Sequence, residues 1–367
     1  MKLEAIELRR IHMPLRGPFR TSFGVMSERD ILLVRATTPD AEGWGECVAD
    51  TTPLYSSEYV DGAQEVIRRF LLPMLFRAGV ETAEAVASIL EPVNGHRMAK
   101  AAVETALLDA ELRARGESLA EHLGATKGRV ECGVSVGIAS SIAETLDQVD
   151  GYLAQGYRRI KLKIQPGWDI EPVRAVRERF GDILLQVDAN AAYGLQDGKH
   201  LAQLDAFDLL LIEQPLPEEQ VREHAELAKV VRTPICLDES IITARAAADA
   251  IEIGACSIIN IKPGRMGGYL EARRAHDVCR ARGVPVWCGG MLECGLGRAA
   301  NIALAALPNF TLPGDTSASD RYFARDVTEP FVLDDGYLHV PAGPGIGVSP
   351  LPELLEEFTT SVETLGP

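Results

Sequence analysis

Five charged residues in the second half of the chain fall at a nearly fixed interval. Lys163, Asp188, Glu213, Asp238 and Lys262 are separated by 25, 25, 25 and 24 residues. Each stands near the carboxyl end of a short apolar run typical of a buried strand. One strand and one helix of a barrel repeat have about this combined length. We therefore expect the five side chains to stand side by side at one rim of a parallel barrel.

The three central carboxylates would repel one another there, so a cation is expected among them. Oxygen donors without His or Cys favour Mg²⁺, with Mn²⁺ or Ca²⁺ as alternatives, and none of the seven histidines stands at a predicted strand end. A divalent cation flanked by lysines suits removal of a proton α to a carboxylate. The cation takes up the enediolate charge and a lysine takes up the proton.

A second lysine, Lys161, lies two residues before Lys163 in the alternating stretch 160–164, so both share one face of the predicted strand. An ordinary lysine, with a pKa of about 10.4, is a poor base at neutral pH. A like charge from Lys161 would favour the neutral form of its neighbour, which makes Lys161 part of the catalytic set. For a single strand, an ordinary solvent-facing surface remains the alternative.

Three further polar residues are expected to support this set from behind. Asn190 shares a strand face with Asp188, whereas Glu239 directly follows Asp238 and faces the other way. Arg265 lies three residues after Lys262. Our hypothesis is that its charge helps Lys262 to lose a proton. The alternative is an arginine in an ion pair at the surface.

The order of predicted elements indicates an α/β protein with three parts. Strand-like and then helical patterns predict an α+β domain over residues 1–126. Over 127–324, eight short apolar strands alternate with amphipathic helices, the last strand being "NFTLPGD" at 309–315. This alternation predicts a (β/α)8-type barrel, with an open doubly wound sheet as the alternative. In 325–367, "EPFVLDDGYLHVP" predicts a hairpin with Asp-Gly at its turn, and this segment is expected to return to the first domain.

Composition narrows the class of partner. The chain has 367 residues, of which 46% are hydrophobic, so it can bury a large core. Its net charge of -16 argues against nucleic acid or an anionic membrane as a partner. A small molecule is therefore the expected class of partner. The seven cysteines form no C-x-x-C pair, which favours free thiols in a reducing compartment. Without a signal-peptide pattern or a long apolar run, a cytoplasmic location is expected.

Several motifs resemble those of the enolase superfamily, in its muconate lactonizing enzyme subgroup. They are "KLK", "VDAN", "IEQP", "CLDES" and "NIKPGRMGG", in this order. The longer stretches "PFRTSFG", "HRMAKAA" and "WCGGMLECGLGRAANIALAALPNF" are similar to the family of o-succinylbenzoate synthases and N-acylamino acid (N-succinylamino acid) racemases. The resemblance implies an N-terminal capping domain and a modified TIM barrel of the (β/α)7β type. It also implies a homo-oligomer, from dimer to octamer.

The resemblance also implies roles for the five periodic residues. Asp188, Glu213 and Asp238 would be the Mg²⁺ ligands, and Lys163 and Lys262 would act on opposite faces of a small carboxylate substrate. In the dehydration of SHCHC, a cyclohexadiene carboxylate of menaquinone biosynthesis, Lys163 would take the α-proton and Lys262 would stay charged. In racemisation both lysines would exchange protons. The activity would be that of a lyase, an isomerase or both.

The same resemblance implies a set of substrate-binding residues. They are Phe19, Phe23, Ser135, Gly289, Gly290 and Met291. The two phenylalanines belong to the capping loop "FRTSFGVMS" and would cover the substrate, while the others would line a pocket for its acyl group. For Phe23 and Met291, ordinary core packing is the alternative.

Other activities remain open at this point. A dedicated N-acylamino acid racemase or a muconate cycloisomerase would use the same lysines. A dipeptide epimerase would carry Asp-x-Asp at the last strand, whereas residues 314–317 read Gly-Asp-Thr-Ser. A mandelate-racemase-like enzyme would need a late histidine base. A non-enzymatic scaffold would be favoured by loss of a periodic residue, and all five are present.

Overall fold

The structure, a computed structural model, describes residues 2–367. The strands are β1 (Ala5–Thr21), β2 (Gly24–Thr37), β3 (Glu42–Cys47), β4 (Arg129–Glu131), β5 (Gly133–Val136), β6 (Arg159–Lys163), β7 (Leu184–Asp188), β8 (Ile212–Glu213), β9 (Ile235–Leu237), β10 (Ile258–Ile261), β11 (Val286–Cys288), β12 (Tyr337–His339) and β13 (Thr359–Leu365).

The helices follow the same chain order. They are α1 (Val60–Val66), α2 (Leu72–Ala78), α3 (Val86–Ile89), α4 (Arg97–Arg115), α5 (Leu119–Leu123), α6 (Ile142–Ala154), α7 (Ile170–Phe180), α8 (Gly198–Leu201), α9 (Val221–Leu227), α10 (Ala244–Glu252), α11 (Pro263–Met266), α12 (Tyr269–Ala281), α13 (Gly295–Ala305) and α14 (Pro352–Phe358). A π-helical turn (Ile67–Leu71) joins α1 to α2, and one of the 3-10 turns is Ser319–Arg321.

The first sheet is antiparallel, with the strand order β13-β1-β2-β3. One of its faces packs against α4, whose backbone approaches β3 closely. A Cβ atom at Gly45 would lie 2.1 Å from the carbonyl oxygen of Ala102, so a larger residue would push the helix off the sheet. The pairing of β1 with β2 is interrupted between Pro14 and Phe19 and then resumes, which gives this hairpin a separate tip.

The second sheet is parallel and forms the barrel. Its strands follow chain order, β5 to β11, with each strand hydrogen-bonded to the next. Residues of these strands are buried on both sides, as expected for a parallel sheet that is covered by helices. Helices α6, α7, α9, α10 and α12 each connect consecutive strands. The predicted α/β barrel is thus confirmed, and the sequential strand order fixes which strand ends are neighbours.

The eighth predicted strand is not a regular strand. The segment 310–315 makes isolated bridges instead, from Phe310 to Val286 of β11 and from Gly314 to Cys132 beside β5. The amide of Gly133 donates to the carbonyl of Gly314 at 2.7 Å. Pro313 has no amide hydrogen and interrupts the ladder between these bridges. The segment still joins both edges of the parallel sheet, so the open doubly wound alternative is wrong.

No barrel helix follows this segment within residues 2–367, only the turn Ser319–Arg321. The architecture is therefore seven strand–helix units and a final extended segment, which is the (β/α)7β form rather than a full (β/α)8 barrel.

The chain after the barrel touches both parts of the molecule. Asp335 and Gly336 adopt positive φ in a tight turn, as predicted for Asp-Gly. The predicted hairpin is confirmed as a short one, because Asp334 and Tyr337 form an antiparallel bridge and exchange backbone hydrogen bonds of 2.8 and 2.9 Å across the turn. Strand β12 also pairs with β4. It is β13 that pairs with β1, from Ile6 opposite Leu365.

The seven cysteines are buried free thiols, as expected from their spacing. Within residues 2–367, no helix combines the length and the apolar character needed to cross a bilayer.

Candidate active site

Parallel pairing brings the periodic residues together at the carboxyl ends of the barrel strands. In the register of β6, β7 and β8, Lys163 is opposite Asp188, and Asp188 is opposite Glu213. Asp238 and Lys262 follow β9 and β10 directly. All five side chains are buried. The interval seen in the sequence therefore corresponds to one arc of adjacent strand ends.

Lys163 is held at one end of this arc. Its Nζ lies 2.6 Å from Oδ2 of Asp188 and 2.7 Å from Oδ1 of Asn190. Asn190 adopts a φ of 42°, and its backbone amide donates to Asp188 at 3.0 Å. Its side-chain amide donates to Glu239 at 2.9 Å. Asn190 thus orients both the lysine and its carboxylate partner.

Lys262 is held at the other end, by residues of both domains. Its Nζ lies 2.9 Å from Oδ2 of Asp238 and 2.9 Å from Oη of Tyr55, which precedes α1. Arg265 is buried and pairs with the same Asp238, so the surface alternative for this arginine is wrong. A Cβ atom at Gly289 would lie 2.6 Å from Cε of Lys262, so only glycine leaves room for the lysine.

Lys161 lies on β6, two residues before Lys163, and contacts three carboxylates. Its Nζ is 2.6 Å from Asp315, 3.0 Å from Glu213 and 3.4 Å from Asp188. Burial lowers the pKa of Lys161, but these carboxylates raise it more, and the net shift is upward. Lys161 is therefore a fixed positive charge in this arrangement.

The carboxylates show the repulsion expected of their proximity. Burial, followed by the charge of Asp188, raises the pKa of Glu213 to about 8. Burial also raises the pKa of Asp238 to about 8, although Lys262 opposes the shift. For Asp188 burial acts in the same direction, but Lys163 and Lys161 hold its pKa well below the usual range. The raised pKa values mean that burial and mutual repulsion disfavour the charged forms of Glu213 and Asp238.

The donor chemistry fits a hard divalent cation. The three carboxylates offer only oxygen. In the described part of the chain, two buried oxygens nearby, Oε2 of Glu239 and Oδ1 of Asn260, have no hydrogen-bond partner. Within residues 2–367, no three His, Cys, Asp or Glu side chains form a ready-made metal cage. Each of the three carboxylates accepts from a lysine instead.

A cavity of about 310 Å³ opens above this arc. All three lysines and Asn190 line it, so the three amines share one space. Its walls contain most of the substrate-binding residues expected from the sequence, namely Phe19, Phe23, Ser135, Gly290 and Met291. Gly289 stands behind the wall, against Asn260 and Lys262. The hydroxyl of Ser135 is buried and has no hydrogen-bond partner among residues 2–367, which leaves it available to a ligand.

Sequence reasoning missed several residues of this cavity, among them Tyr55, Asp315 and Tyr322. Tyr55 belongs to the stretch "YSSEY", a polar loop before the first helix, and a tyrosine in such a loop could have been predicted to line the cavity. Asp315 ends the eighth predicted strand, so its position at the rim followed from the barrel pattern. Tyr322 lies in an irregular segment after the barrel and had no such signal.

Comparison with known proteins places this geometry in a family. The model described as "Enolase C-terminal domain-like" matches residues 144–354. The model described as "Mandelate racemase / muconate lactonizing enzyme, N-terminal domain" matches residues 5–124. An N-succinylamino acid racemase from Amycolatopsis sp is 66% identical over 367 residues, which is 100% of both chains. An o-succinylbenzoate synthase from Geobacillus kaustophilus is 45% identical over 98% of this chain and 96% of its own.

Solved structures agree with these matches. An enolase superfamily member from Listeria innocua superposes with a TM-score of 0.96 at 40% identity, covering 100% of this chain and 99% of its own. A muconate lactonizing enzyme from Pseudomonas fluorescens, complexed with muconolactone, gives 0.92 at 27% identity over 98% and 99%. With both domain models matched and relatives aligned along the whole chain, the protein belongs to the enolase superfamily, in the mandelate racemase / muconate lactonizing enzyme family.

Proposed function

We propose that the protein is an o-succinylbenzoate synthase that also racemises N-succinylamino acids and other N-acylamino acids. The dehydration of SHCHC would serve menaquinone biosynthesis. Both reactions begin with removal of the proton α to a carboxylate, so one site can perform both. The names of the relatives, a racemase at 66% identity and synthases at 40–45%, support both halves of the proposal.

One observation carries this proposal. Lys163 and Lys262 stand at opposite ends of a buried carboxylate arc, and both amines face the same cavity. A carbon held between them would meet one amine on each face. A lysine on each side can remove a proton from one face and return it to the other, which inverts the centre.

A divalent cation completes the proposed site. Members of the superfamily generally bind one. We propose Mg²⁺, with Mn²⁺ as an alternative, held by Asp188, Glu213 and Asp238. When bound, it would supply positive charge to the substrate carboxylate and to the developing enediolate.

The protein's own residues then divide the work. In dehydration, Lys163 takes the α-proton and returns it to the departing hydroxide, while Lys262 stays protonated and stabilises the enediolate oxygen. In racemisation, Lys163 and Lys262 exchange roles with each enantiomer. Lys161 supplies a fixed charge beside Lys163, and Asn190 holds that lysine in place. Phe19 and Phe23 exclude water from above.

A dedicated N-acylamino acid racemase is the second candidate, because the 66% identical relative has the name of a racemase. For a dipeptide epimerase or a muconate cycloisomerase the support is weaker. Asp315, the one late-strand carboxylate of the 314–317 stretch, is already paired with Lys161 and Arg159. Muconate cycloisomerases are matched at only 26–29% identity.

The proposal includes the organisation of the molecule. Residues 1–126 would act as a cap over the barrel of 127–324, and 325–367 would tie the two together. We further propose that the protein is a cytoplasmic homo-oligomer.

Two assays run side by side test the proposal. Purified protein with Mg²⁺ would be followed for conversion of SHCHC and for loss of optical rotation of N-succinylphenylalanine. We expect both activities, and both should disappear on treatment with EDTA and return with Mg²⁺. Racemisation without dehydration would select the dedicated racemase. Inactivity on both substrates would reject the proposed function, provided that circular dichroism shows folded protein.

A further inference from the structure

One wall of the cavity is held together by a cation that does not reach the reacting centre. Arg321 ends the turn after the barrel, and its Nη2 donates to the carbonyl of Ser135 at 2.7 Å. Its guanidinium carbon lies 4.6 Å from the ring centre of Tyr322, 4.9 Å from Tyr152 and 5.7 Å from Phe19. These contacts are three aromatic faces and a carbonyl rather than a carboxylate.

The groups that meet at Arg321 come from distant parts of the chain. Phe19 belongs to the hairpin of the first domain, Ser135 to the first strand of the barrel, and Tyr152 to helix α6. Phe19 and Tyr322 also meet edge to face, with ring centres 6.0 Å apart. Arg321 is the point at which these separate elements are fixed relative to one another.

The same region fixes the backbone of the hairpin. The amide of Arg16 donates to the carbonyl of Tyr322 at 2.8 Å, and Leu15 bridges to Phe323. This stretch coincides with the interruption in the β1–β2 pairing, where the sheet itself no longer holds the hairpin. The contacts around Arg321 therefore hold the hairpin where the backbone pairing of β1 with β2 is interrupted.

We propose that Arg321 is a positioning residue that sets the acyl-group wall of the cavity. It acts through Phe19, Tyr322 and Ser135, which line the cavity, and this rests on the proposed function. The free hydroxyl of Ser135 is the group it presents to the substrate's acyl carbonyl. Because these contacts are the same in the ground state and the transition state, their loss weakens binding and leaves the proton-transfer step intact.

The test compares two racemisation substrates that differ only in the acyl group, N-succinylphenylalanine and N-formylphenylalanine. Arg321→Met keeps the bulk and removes the charge. We expect KM for the succinyl substrate to rise about 10-fold, as loss of a partly buried cation–π cluster would give. We expect kcat to change less than about 2-fold, because the lost contacts stabilise the bound substrate and the transition state equally. The values for the formyl substrate should be nearly unaffected, because it lacks the succinyl chain.

Two further variants separate positioning from direct contact and from folding. Tyr152→Leu removes a ring that supports Arg321 from behind the wall, and it should reproduce part of the rise in KM. Arg321→Lys keeps a cation near the rings and should restore most of the affinity. Arg129→Met is the matched control, because Arg129 also covers a tyrosine, Tyr337, at 4.0 Å, but at β4 below the barrel.

The outcomes are distinct. Equal losses on both substrates, a fall in kcat alone, or no change in KM in Arg321→Met would overturn the inference. If Arg321→Met does not fold, the inference is tested with Arg321→Lys and Tyr152→Leu, by the ratio of KM for the succinyl substrate to KM for the formyl substrate. Inactive wild-type protein and inactive Arg129→Met would instead reject the proposed function.

Discussion

At the residue scale, two of the three lysines that line the cavity, Lys163 and Lys262, are held in different ways. Lys163 is bound by Asp188 and Asn190, both from the barrel strand β7 and its loop. Lys262 is bound by Asp238 and by Tyr55, which comes from the first domain. The position of Lys262 therefore depends on where the first domain sits, whereas that of Lys163 does not.

Removing either lysine should abolish proton transfer at one face of the substrate and leave it at the other. We expect Lys163→Ala to lose dehydration by at least about 1000-fold, because no other base reaches that face. Both Lys163→Ala and Lys262→Ala should lose racemisation. Each should still exchange the α-proton of one enantiomer with deuterium from D₂O, because the remaining lysine serves one face. Proton NMR of each enantiomer measures this.

Lys199→Ala, on the exposed surface of α8, is the control and should behave as wild type. Exchange of both enantiomers by a single-lysine variant would contradict the two-base arrangement. Calorimetric titration with Mg²⁺ should show that Lys163→Ala still binds the metal.

Arg265 and Lys262 share one carboxylate, so changing the arginine should affect one reaction more than the other. Burial lowers the pKa of Lys262, but Asp238 and Glu239 raise it more. Arg265 pairs with the same Asp238, so its positive charge offsets the effect of that carboxylate and lowers the pKa of Lys262. In Arg265→Gln we expect racemisation, which needs a neutral Lys262, to fall about 10-fold more than dehydration, which needs a charged one. Equal losses in the two assays would refute this role.

At the scale of elements, the sequence predicted the strand ends and an eighth barrel strand at 309–315, but not the irregular pairing of that last segment. The segment 310–315 has no alternating pattern and contains Pro313, so its bridges to β11 and β5 could not be read locally. Asp315 bonds to Arg159, which lies 156 residues earlier. A partner at such a distance follows only from three-dimensional packing.

Asp315 should therefore be required for barrel stability as well as for the site. It accepts from Arg159 at 2.8 Å and lies 2.6 Å from Lys161, and both cations are buried. We expect Asp315→Asn to lower the free energy of unfolding by about 3–5 kcal/mol, because two buried charges lose their partner. Urea denaturation followed by circular dichroism measures this.

Asp320→Asn, five residues on and exposed, is the comparison and should change stability by less than about 0.5 kcal/mol. A similar small effect in Asp315→Asn would mean that Lys161 finds enough charge in Asp188 and Glu213 alone.

At the scale of the whole molecule, the first domain is joined to the barrel by buried carboxylates. Glu104 of α4 accepts from the backbone amide of Leu270, at the start of α12. Glu46 of β3 accepts from the amides of Cys294 and Gly297, at the start of α13. Neither contact could be inferred from the sequence, because each joins a residue of one domain to a helix start in the other.

Glu104 should make this junction sensitive to pH. Burial raises its pKa from 4.5 to about 8, so the folded protein holds the proton more tightly than the unfolded chain. The resulting stability is full below about pH 4.5 and is lost as pH rises through about 8. Glu104→Gln stays neutral, so its unfolding free energy relative to wild type should rise by about 3 kcal/mol between pH 5.5 and 8.5.

Urea titrations at the two pH values test this, with Glu353→Gln on the exposed face of α14 as the control. A difference between Glu104→Gln and wild type that is flat across this range would show that Glu104 is already ionised in the folded protein.

The pairing of β13 with β1 has a consequence for biosynthesis. Strand β13 follows the whole barrel in the chain, so a ribosome has made every barrel residue before the first sheet can be completed. Until then β1 has an open edge, which is a template for pairing with other nascent chains. Translation in a cell therefore exposes this edge for as long as the barrel takes to synthesise. Chaperones that protect extended segments would act on β1 during that interval.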